Sequence, residues 1–235
     1  MRALGPNDIL ALWERGARRH ALDRSALLCA WARPDWPADT IADRPLGRVT
    51  AALMQLREAS FGPRIESHVD CEHCGARLQL LLRTSDLLQP EPGDAAEVEV
   101  AGRRVRPPAL RDLAAVAHEL DAERAAQQLL ARCTLRGGDD AAAEISNAAL
   151  REVEDALEAI DPNADLALDV HCEACGQRST AQLDAGVLLW DEIDARARTL
   201  LAEVHTLASA YGWSEGEILA LGAARRAGYL AMGGA

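Results

Sequence analysis

Two short segments of the sequence each carry a pair of cysteines that could bind a metal ion. The motif Cys-Glu-x-Cys-Gly occurs at residues 71–75 and again at residues 172–176. Two cysteines separated by two residues at a tight turn can direct both thiolates at one ion, and the glycine that follows permits the positive φ of such a turn. A tetrahedral structural zinc site needs four ligands, which the two motifs supply together. The expected zinc ligands are Cys71, Cys74, Cys172 and Cys175.

The two motifs belong to a longer internal repeat. A shift of 101 positions aligns residues 69–88 with residues 170–189 without a gap, and nine of these twenty positions are identical. Each copy alternates in hydrophobicity around the cysteines, which predicts a β-hairpin with the motif at its turn. Two such knuckles facing each other would form a zinc ribbon.

The distance between the two cysteine pairs is long for a ribbon. Between Cys74 and Cys172 lie 97 residues, whereas about 15–20 residues are usual. Two explanations remain open at this point. The intervening residues form a helical insertion between two halves of one ribbon, or the halves meet between two chains and zinc bridges a dimer.

A redox role is the other chemistry that Cys-x-x-Cys can perform. The redox form of the motif opens a helix after a buried strand. Here glycine follows the second cysteine and a strand pattern resumes, which favours metal binding over redox chemistry.

Other potential ligands do not follow the repeat. His68, His73 and His171 lie near the motifs, but none has a histidine at the equivalent position of the other copy. We expect them to be solvated or to support the ligands from outside. Cys29 and Cys133 lie in apolar helical segments and are expected to be buried thiols.

The elements around the motifs predict an α+β, mainly helical fold. The hydrophobic pattern divides the chain into an N-terminal helical region, two ribbon halves, an inserted hairpin with helices, and a C-terminal helical hairpin. The predicted helices cover about 22–31, 46–58, 109–119, 121–132, 147–160 and 188–210, besides a first helix capped by Asn7 or Asp8 and a last helix opened by a capping box at Ser214. The predicted regions are 1–63, then 64–95 and 164–187 for the ribbon halves, 96–163 for the insertion, and 188–235.

Composition limits the classes of protein that this chain can be. Of 235 residues, 49% are hydrophobic and 26% are charged, which is typical of a globular protein. No apolar run is long enough for a transmembrane helix, and the N-terminus lacks the apolar stretch of a signal peptide. We therefore expect a cytoplasmic protein without a membrane partner, in a compartment where thiols stay reduced.

The usual catalytic motifs are absent from the sequence. It contains no glycine-rich phosphate loop, no Gly-x-Ser-x-Gly elbow and no His-Glu-x-x-His helix. The acidic run Glu152, Asp155 and Glu158 is typical of a solvated helix face. A four-thiolate zinc has no open coordination position for a substrate. We therefore expect a structural zinc and no enzymatic activity.

Nucleic-acid binding is the alternative function for a zinc ribbon. The net charge of −12 opposes it, and Arg103, Arg104 and Arg106 form the main basic cluster. The C-terminal helices resemble a helix-turn-helix in outline, but Glu215 and Glu217 stand where base contacts would begin. An adaptor for nucleic acid or transcription machinery therefore remains the second hypothesis.

Three segments together resemble a known bacterial family. They are Leu-Trp-Glu-Arg-Gly at 12–16, the two knuckles, and the C-terminal stretch from Glu203 through Tyr211-Gly212-Trp213 to Tyr229-Leu230. The family occurs among the genes of phage-like contractile injection systems and is remotely similar to the baseplate hub assembly chaperone of T-even-type phages. The resemblance implies a protein that helps to build the baseplate or hub of a contractile tail by binding another protein there, whether or not it stays in the particle.

The C-terminal hairpin of helices is the expected partner-binding element. Its candidate contact residues are Trp213, Arg225, Arg226 and Tyr229, because aromatic and arginine side chains dominate protein interfaces. The other interpretation is that Trp213 and Tyr229 pack on the long helix that precedes them.

Overall fold

The computed structural model describes residues 1–90, 97–100, 102–137 and 147–233, and the chain is α+β and mainly helical, as predicted. Residues 89–95, where Pro90, Pro92 and Gly93 predict a linker, and Ala101-Gly102, which predict the turn of the inserted hairpin, lie partly outside the described residues. The helices are α1 (Pro6–Gly16), α2 (Ala21–Ala32), α3 (Leu46–Phe61), α4 (Thr84–Leu87), α5 (Leu110–Val116), α6 (Ala122–Cys133), α7 (Asn147–Ile160), α8 (Ala185–Tyr211), α9 (Glu215–Ala220) and α10 (Ala223–Gly233). The strands are β1 (Arg64–Asp70), β2 (Arg77–Arg83), β3 (Val98–Val100), β4 (Arg103–Val105), β5 (Thr134–Gly137), β6 (Ala167–His171) and β7 (Arg178–Gln182), and a 3₁₀ helix covers Ala38–Asp43.

The strands form three small antiparallel sheets. β1 pairs with β2 and β6 pairs with β7, each as a two-stranded hairpin, while β3, β4 and β5 form a three-stranded sheet. The predicted hairpin of β3 and β4 is confirmed, whereas β5 was not predicted. The hairpins β1–β2 and β6–β7 have the same register, because Asp70 pairs with Arg77 and His171 pairs with Arg178 at the equivalent positions.

Two predictions at the ends of helices need correction. The N-cap of α1 is Gly5 and not Asn7 or Asp8; Asp8 instead accepts a hydrogen bond from the Gly5 backbone N–H at 2.9 Å. The capping box at Ser214 is confirmed, but the helix that it opens ends after six residues because Leu221 takes an extended conformation. A separate helix, α10, then follows.

The internal repeat extends far beyond the knuckles. Helix α6 begins and ends 101 residues after α2 begins and ends. Helix α7 begins 101 residues after α3 begins. The N-caps of α2 and α6, His20 and Asp121, are also equivalent. The described parts of residues 1–88 and 102–189 therefore share one order of two helices followed by a cysteine hairpin, and they are here called the first and second repeats. The predicted insertion at 96–163 contains the helical part of the second repeat.

The buried residues follow the same correspondence. The second repeat has a small core in which every member except Val98 and Val100, which precede residue 102, is equivalent to a residue of the main core of the protein. Its fully buried members Val105, Leu130 and Val153 correspond to Leu4, Cys29 and Ala52, and its partly buried members Leu150 and Leu157 correspond to Val49 and Leu56. The same positions are therefore used to build both cores.

The long helix α8 joins the two repeats. It leaves the hairpin of the second repeat and packs against α1, α2 and α3 of the first. Its residues Leu189, Ile193 and Leu200 are fully buried in the main core. Beyond the repeat, α8 continues to Tyr211, and α9 and α10 fold back onto its C-terminal half.

Candidate metal centre

The four cysteines of the two knuckles converge on one point. Their Sγ atoms all lie within 4.8 Å of one another, and across the two knuckles Cys71 lies 3.8 Å from Cys175 and Cys74 lies 3.7 Å from Cys172. All four belong to one chain, so the cluster does not need the thiols of a second chain. A disulfide would bring two sulfurs to about 2.05 Å, and these cysteines are free.

Backbone hydrogen bonds fix each knuckle in the same way. In the first, the N–H of Cys71 donates to Ala76 O at 2.8 Å and the N–H of Gly75 donates to Cys71 O at 2.8 Å. The equivalent bonds in the second, from Cys172 and Gly176, measure 2.9 and 2.7 Å. Gly75 and Gly176 have φ values of 71° and 75°, in the left-handed region that favours glycine.

The surroundings of the Cys71 thiol favour its ionised form, whereas those of the Cys175 thiol oppose it. Cys71 and Cys172 are buried, whereas Cys74 and Cys175 are exposed. Hydrogen bonds from the backbone N–H groups of Cys74 and His73 lower the pKa of the Cys71 thiol to about 6. The backbone N–H of Gln177 acts to lower the pKa of Cys175, but lost hydration and the neighbouring sulfurs outweigh it and raise that pKa to about 12. A bound cation would favour the ionised form of these thiols.

Two buried polar side chains bring the distant knuckles together. Asn163 accepts a hydrogen bond from the Gln89 N–H at 2.8 Å and donates from Nδ2 to Gln89 O at 3.0 Å. Asp161 accepts a hydrogen bond from the Gly47 N–H at 3.0 Å. The chain thus leaves the first hairpin and enters the second at neighbouring points. The sequence Asp161-Pro162-Asn163 by itself indicates only the end of a helix and carries no signal for these long-range hydrogen bonds.

The other candidate ligands lie outside the cluster. Among the described residues, the only group of histidine, cysteine and acidic side chains close enough to hold a metal ion is the set of four cysteines. His68, His73 and His171 are exposed. Cys29 and Cys133 are buried, as predicted, and burial raises the pKa of their thiols to about 12 and about 11.

Of the predicted partner-binding residues, the two aromatic ones belong to a cluster of rings, and the two arginines differ in burial. Tyr211 stacks on Trp213 with ring centroids 4.8 Å apart, and Tyr229 meets Trp213 edge to face, also at 4.8 Å. Arg225 is exposed. Arg226 is 1% exposed, and its Nε donates to Glu203 at 2.7 Å. The guanidinium of Arg226 is thus used within the chain, and contact of these residues with a partner stays a prediction.

The aromatic cluster is only partly covered. Tyr211 is 37% exposed and Met232, near the end of α10, is 63% exposed, while Trp213 and Tyr229 are half-buried. The Tyr211 hydroxyl donates to Tyr229 O at 3.2 Å. The four residues Tyr211, Trp213, Tyr229 and Met232 are here called the C-terminal aromatic tip.

The basic segment of the second repeat is used for ion pairs. Arg104 pairs with Glu97. Arg106 holds the buried carboxylate of Asp112 with two hydrogen bonds of 2.7 and 3.1 Å. At least these two cations are neutralised within the chain.

Comparison with protein-family models, curated proteins and solved structures finds no match to this chain. Within the described part of the chain, no helix is both long and apolar enough to span a lipid bilayer.

Proposed function

We propose that the four cysteines bind one zinc ion and that the metal has a structural role. A tetrahedral ion with metal–sulfur bonds of about 2.3 Å requires sulfurs about 3.8 Å apart. The two cross-knuckle distances of 3.7 and 3.8 Å support this geometry. Four thiolates leave no open position, and zinc is the usual ion in such structural sites.

The chain then acts as a non-enzymatic protein-binding protein. We propose that it is an assembly factor or minor structural component of the baseplate or hub of a contractile tail or injection system. The resemblance of its sequence to that family supports the assignment. The observation that carries protein binding is the C-terminal aromatic tip, because partly exposed aromatic side chains, with an exposed arginine and methionine on the same helix as Tyr229, are typical of interface centres.

The nucleic-acid alternative receives less support. The net charge of −12 repels phosphate. Arg104 and Arg106 are engaged in ion pairs, and Glu217 is fixed in the capping box of α9.

Co-expression with baseplate and hub proteins of a contractile tail tests the proposed role. The full-length protein should co-purify with one of them. The double variant Trp213→Ala/Met232→Ala should weaken that complex at least tenfold, because both side chains belong to the partly exposed tip. The matched control is Leu81→Ala/Leu120→Ala, which removes two exposed leucines elsewhere.

Two results would count against the proposal. One is a complex that is equally stable with the tip variant and the control. The other is co-purification with nucleic acid, and with none of the tail proteins, in high salt. Zinc content and circular dichroism of each variant verify that the fold is kept.

A further inference from the structure

The two repeats differ in whether another helix packs on the outer face of their equivalent helices, α3 and α7. In the first repeat, α8 lies against α3, where Arg57 donates to both carboxylate oxygens of Glu192 at distances of 2.6 to 3.2 Å. Arg57 is 3% exposed as a result. Asp194 of α8 also accepts a hydrogen bond from Trp13 Nε1 of α1, at 2.6 Å.

The equivalent helix of the first hairpin stops after one turn. α4 begins 101 positions before α8, but Leu88 takes an extended conformation, and the hydrogen bonds between Gln89 and Asn163 redirect the chain. Among the described elements, α7 packs mainly against β3. No described helix therefore covers α7 as α8 covers α3.

A cavity lies where that helix would run. Its volume is about 810 Å³. One wall comes from the end of α4 and the residues after it, which are equivalent to the first turns of α8. The opposite wall comes from α7, at the positions equivalent to Met54 and Arg57 of α3. The lining includes Asp86, Leu87, Asp155, Glu158, Asp165 and Leu166.

The cavity combines an apolar floor with an acidic rim. Leu166 is buried and Leu87 is half-buried, and four carboxylates surround them, from Asp86, Asp155, Glu158 and Asp165. No ion pair within the described part of the chain includes any of these four. Glu158 stands at the position of Arg57, so the charge that faces the covering helix in the first repeat is reversed in the second. Exposure of Asp155 and Glu158 agrees with the predicted solvated face.

We infer that this cavity binds a basic amphipathic helix of a partner protein, in the place that α8 takes on the first repeat. The apolar floor would receive the apolar face of the helix, and the four carboxylates would pair with its Lys or Arg side chains. Helix burial at the equivalent surface of the first repeat supports a helical occupant, and the reversed charge at Glu158 supports a basic one. The inference does not depend on the assembly role proposed above.

A synthetic helix tests this inference with the full-length, zinc-loaded protein. The probe is a fluorescein-labelled peptide of residues 185–203 in which the substitutions Asp191→Arg, Glu192→Arg and Asp194→Arg make the α8 sequence basic. The comparison peptides are the unsubstituted 185–203 sequence and hexa-arginine. Fluorescence anisotropy should show saturable binding of the basic helix, at least tenfold tighter than either comparison peptide.

Charge reversal on the protein locates the binding site. The double variant Asp155→Arg/Glu158→Arg should weaken binding of the basic helix at least tenfold. The control Glu14→Arg/Glu58→Arg makes the same change in net charge at two exposed positions away from the cavity, and it should change binding less than twofold. Unchanged zinc content verifies that each variant is folded.

Three results would overturn the inference. They are no saturable binding of the basic helix, equal binding of hexa-arginine, and equal loss of binding in the cavity variant and the control. The second and third results would mean that the peptide responds only to overall negative charge.

Discussion

Trp190 of α8 lies against Gly16 of α1 so closely that a Cβ atom on residue 16 would fall 2.4 Å from the indole ring. The guanidinium of Arg24, on α2, lies over the same ring at 4.5 Å from its centroid. The indole is thus enclosed by two helices of the first repeat, although it belongs to the helix that leaves the second hairpin. This contact and the cysteine cluster join the two repeats at different points.

The substitution Gly16→Ala should weaken the junction between α1 and α8. The added methyl group has no room beside Trp190, and such overpacking costs about 1–3 kcal/mol. Urea denaturation should show that loss. The control is Gly216→Ala in α9, where no atom lies within 4 Å of the added Cβ; there alanine should stabilise the helix by about 0.5–1 kcal/mol. Equal stability of the two variants would contradict the packing described for Trp190.

The buried carboxylate of Asp112 should make the second repeat sensitive to acid. Burial acts to raise the pKa of Asp112, but hydrogen bonds from Arg106 and from the Ala109 N–H outweigh it and hold that pKa below its ordinary value. The stabilisation is therefore complete above the unfolded-state pKa of about 3.9, and it is lost as the pH falls through the folded-state pKa. Asp112→Asn should cost about 3 kcal/mol at pH 7, and the difference from the parent protein should shrink under strong acid.

Asp43 provides the control for that measurement. It pairs with Arg111 at 2.6 Å, but both side chains are about half exposed. Asp43→Asn should therefore change the free energy of unfolding by no more than about 1 kcal/mol at pH 7. A loss as large as that of Asp112→Asn would mean that burial does not determine the strength of these ion pairs.

Two adjacent arginines in α10 should respond very differently to mutation. Arg226→Ala leaves Glu203 without its Nε hydrogen bond and removes the 2.5 Å bond from Arg226 to Leu221 O. We expect a loss of about 3 kcal/mol, and faster proteolysis of α10. Arg225→Ala should change the free energy of unfolding by less than about 0.5 kcal/mol, because its side chain is exposed. Similar stability of both variants would show that Glu203 does not hold α10.

The knuckles could be predicted from the sequence because their residue types have few substitutes. A metal site with four sulfur ligands needs cysteine, and the left-handed turn favours glycine, so Cys71 and Gly75 recur unchanged as Cys172 and Gly176. The helical part of the repeat was missed, since any apolar side chain of suitable size can fill a core position. Cys29, for example, corresponds to Leu130.

Long-range partners explain the other differences from prediction. β5 exists because it pairs with β4, about thirty residues earlier in the chain, and its own short sequence carries little strand signal. The burial of Arg226 depends on Glu203 in another helix. Local patterns cannot distinguish Arg226 from its neighbour Arg225, because both lie on the same short helix and only tertiary packing places one of them inside.

Native mass spectrometry of the purified protein, with and without a strong chelator, tests the central claim that the two repeats share one structural metal. We expect a 25.2 kDa monomer that carries one zinc ion, and Cys172→Ser should lose the metal while Cys133→Ala keeps it. Chelation should shift the charge-state distribution towards a less compact protein. A metal-free protein with a compact fold, or one zinc ion shared between two chains, would contradict it.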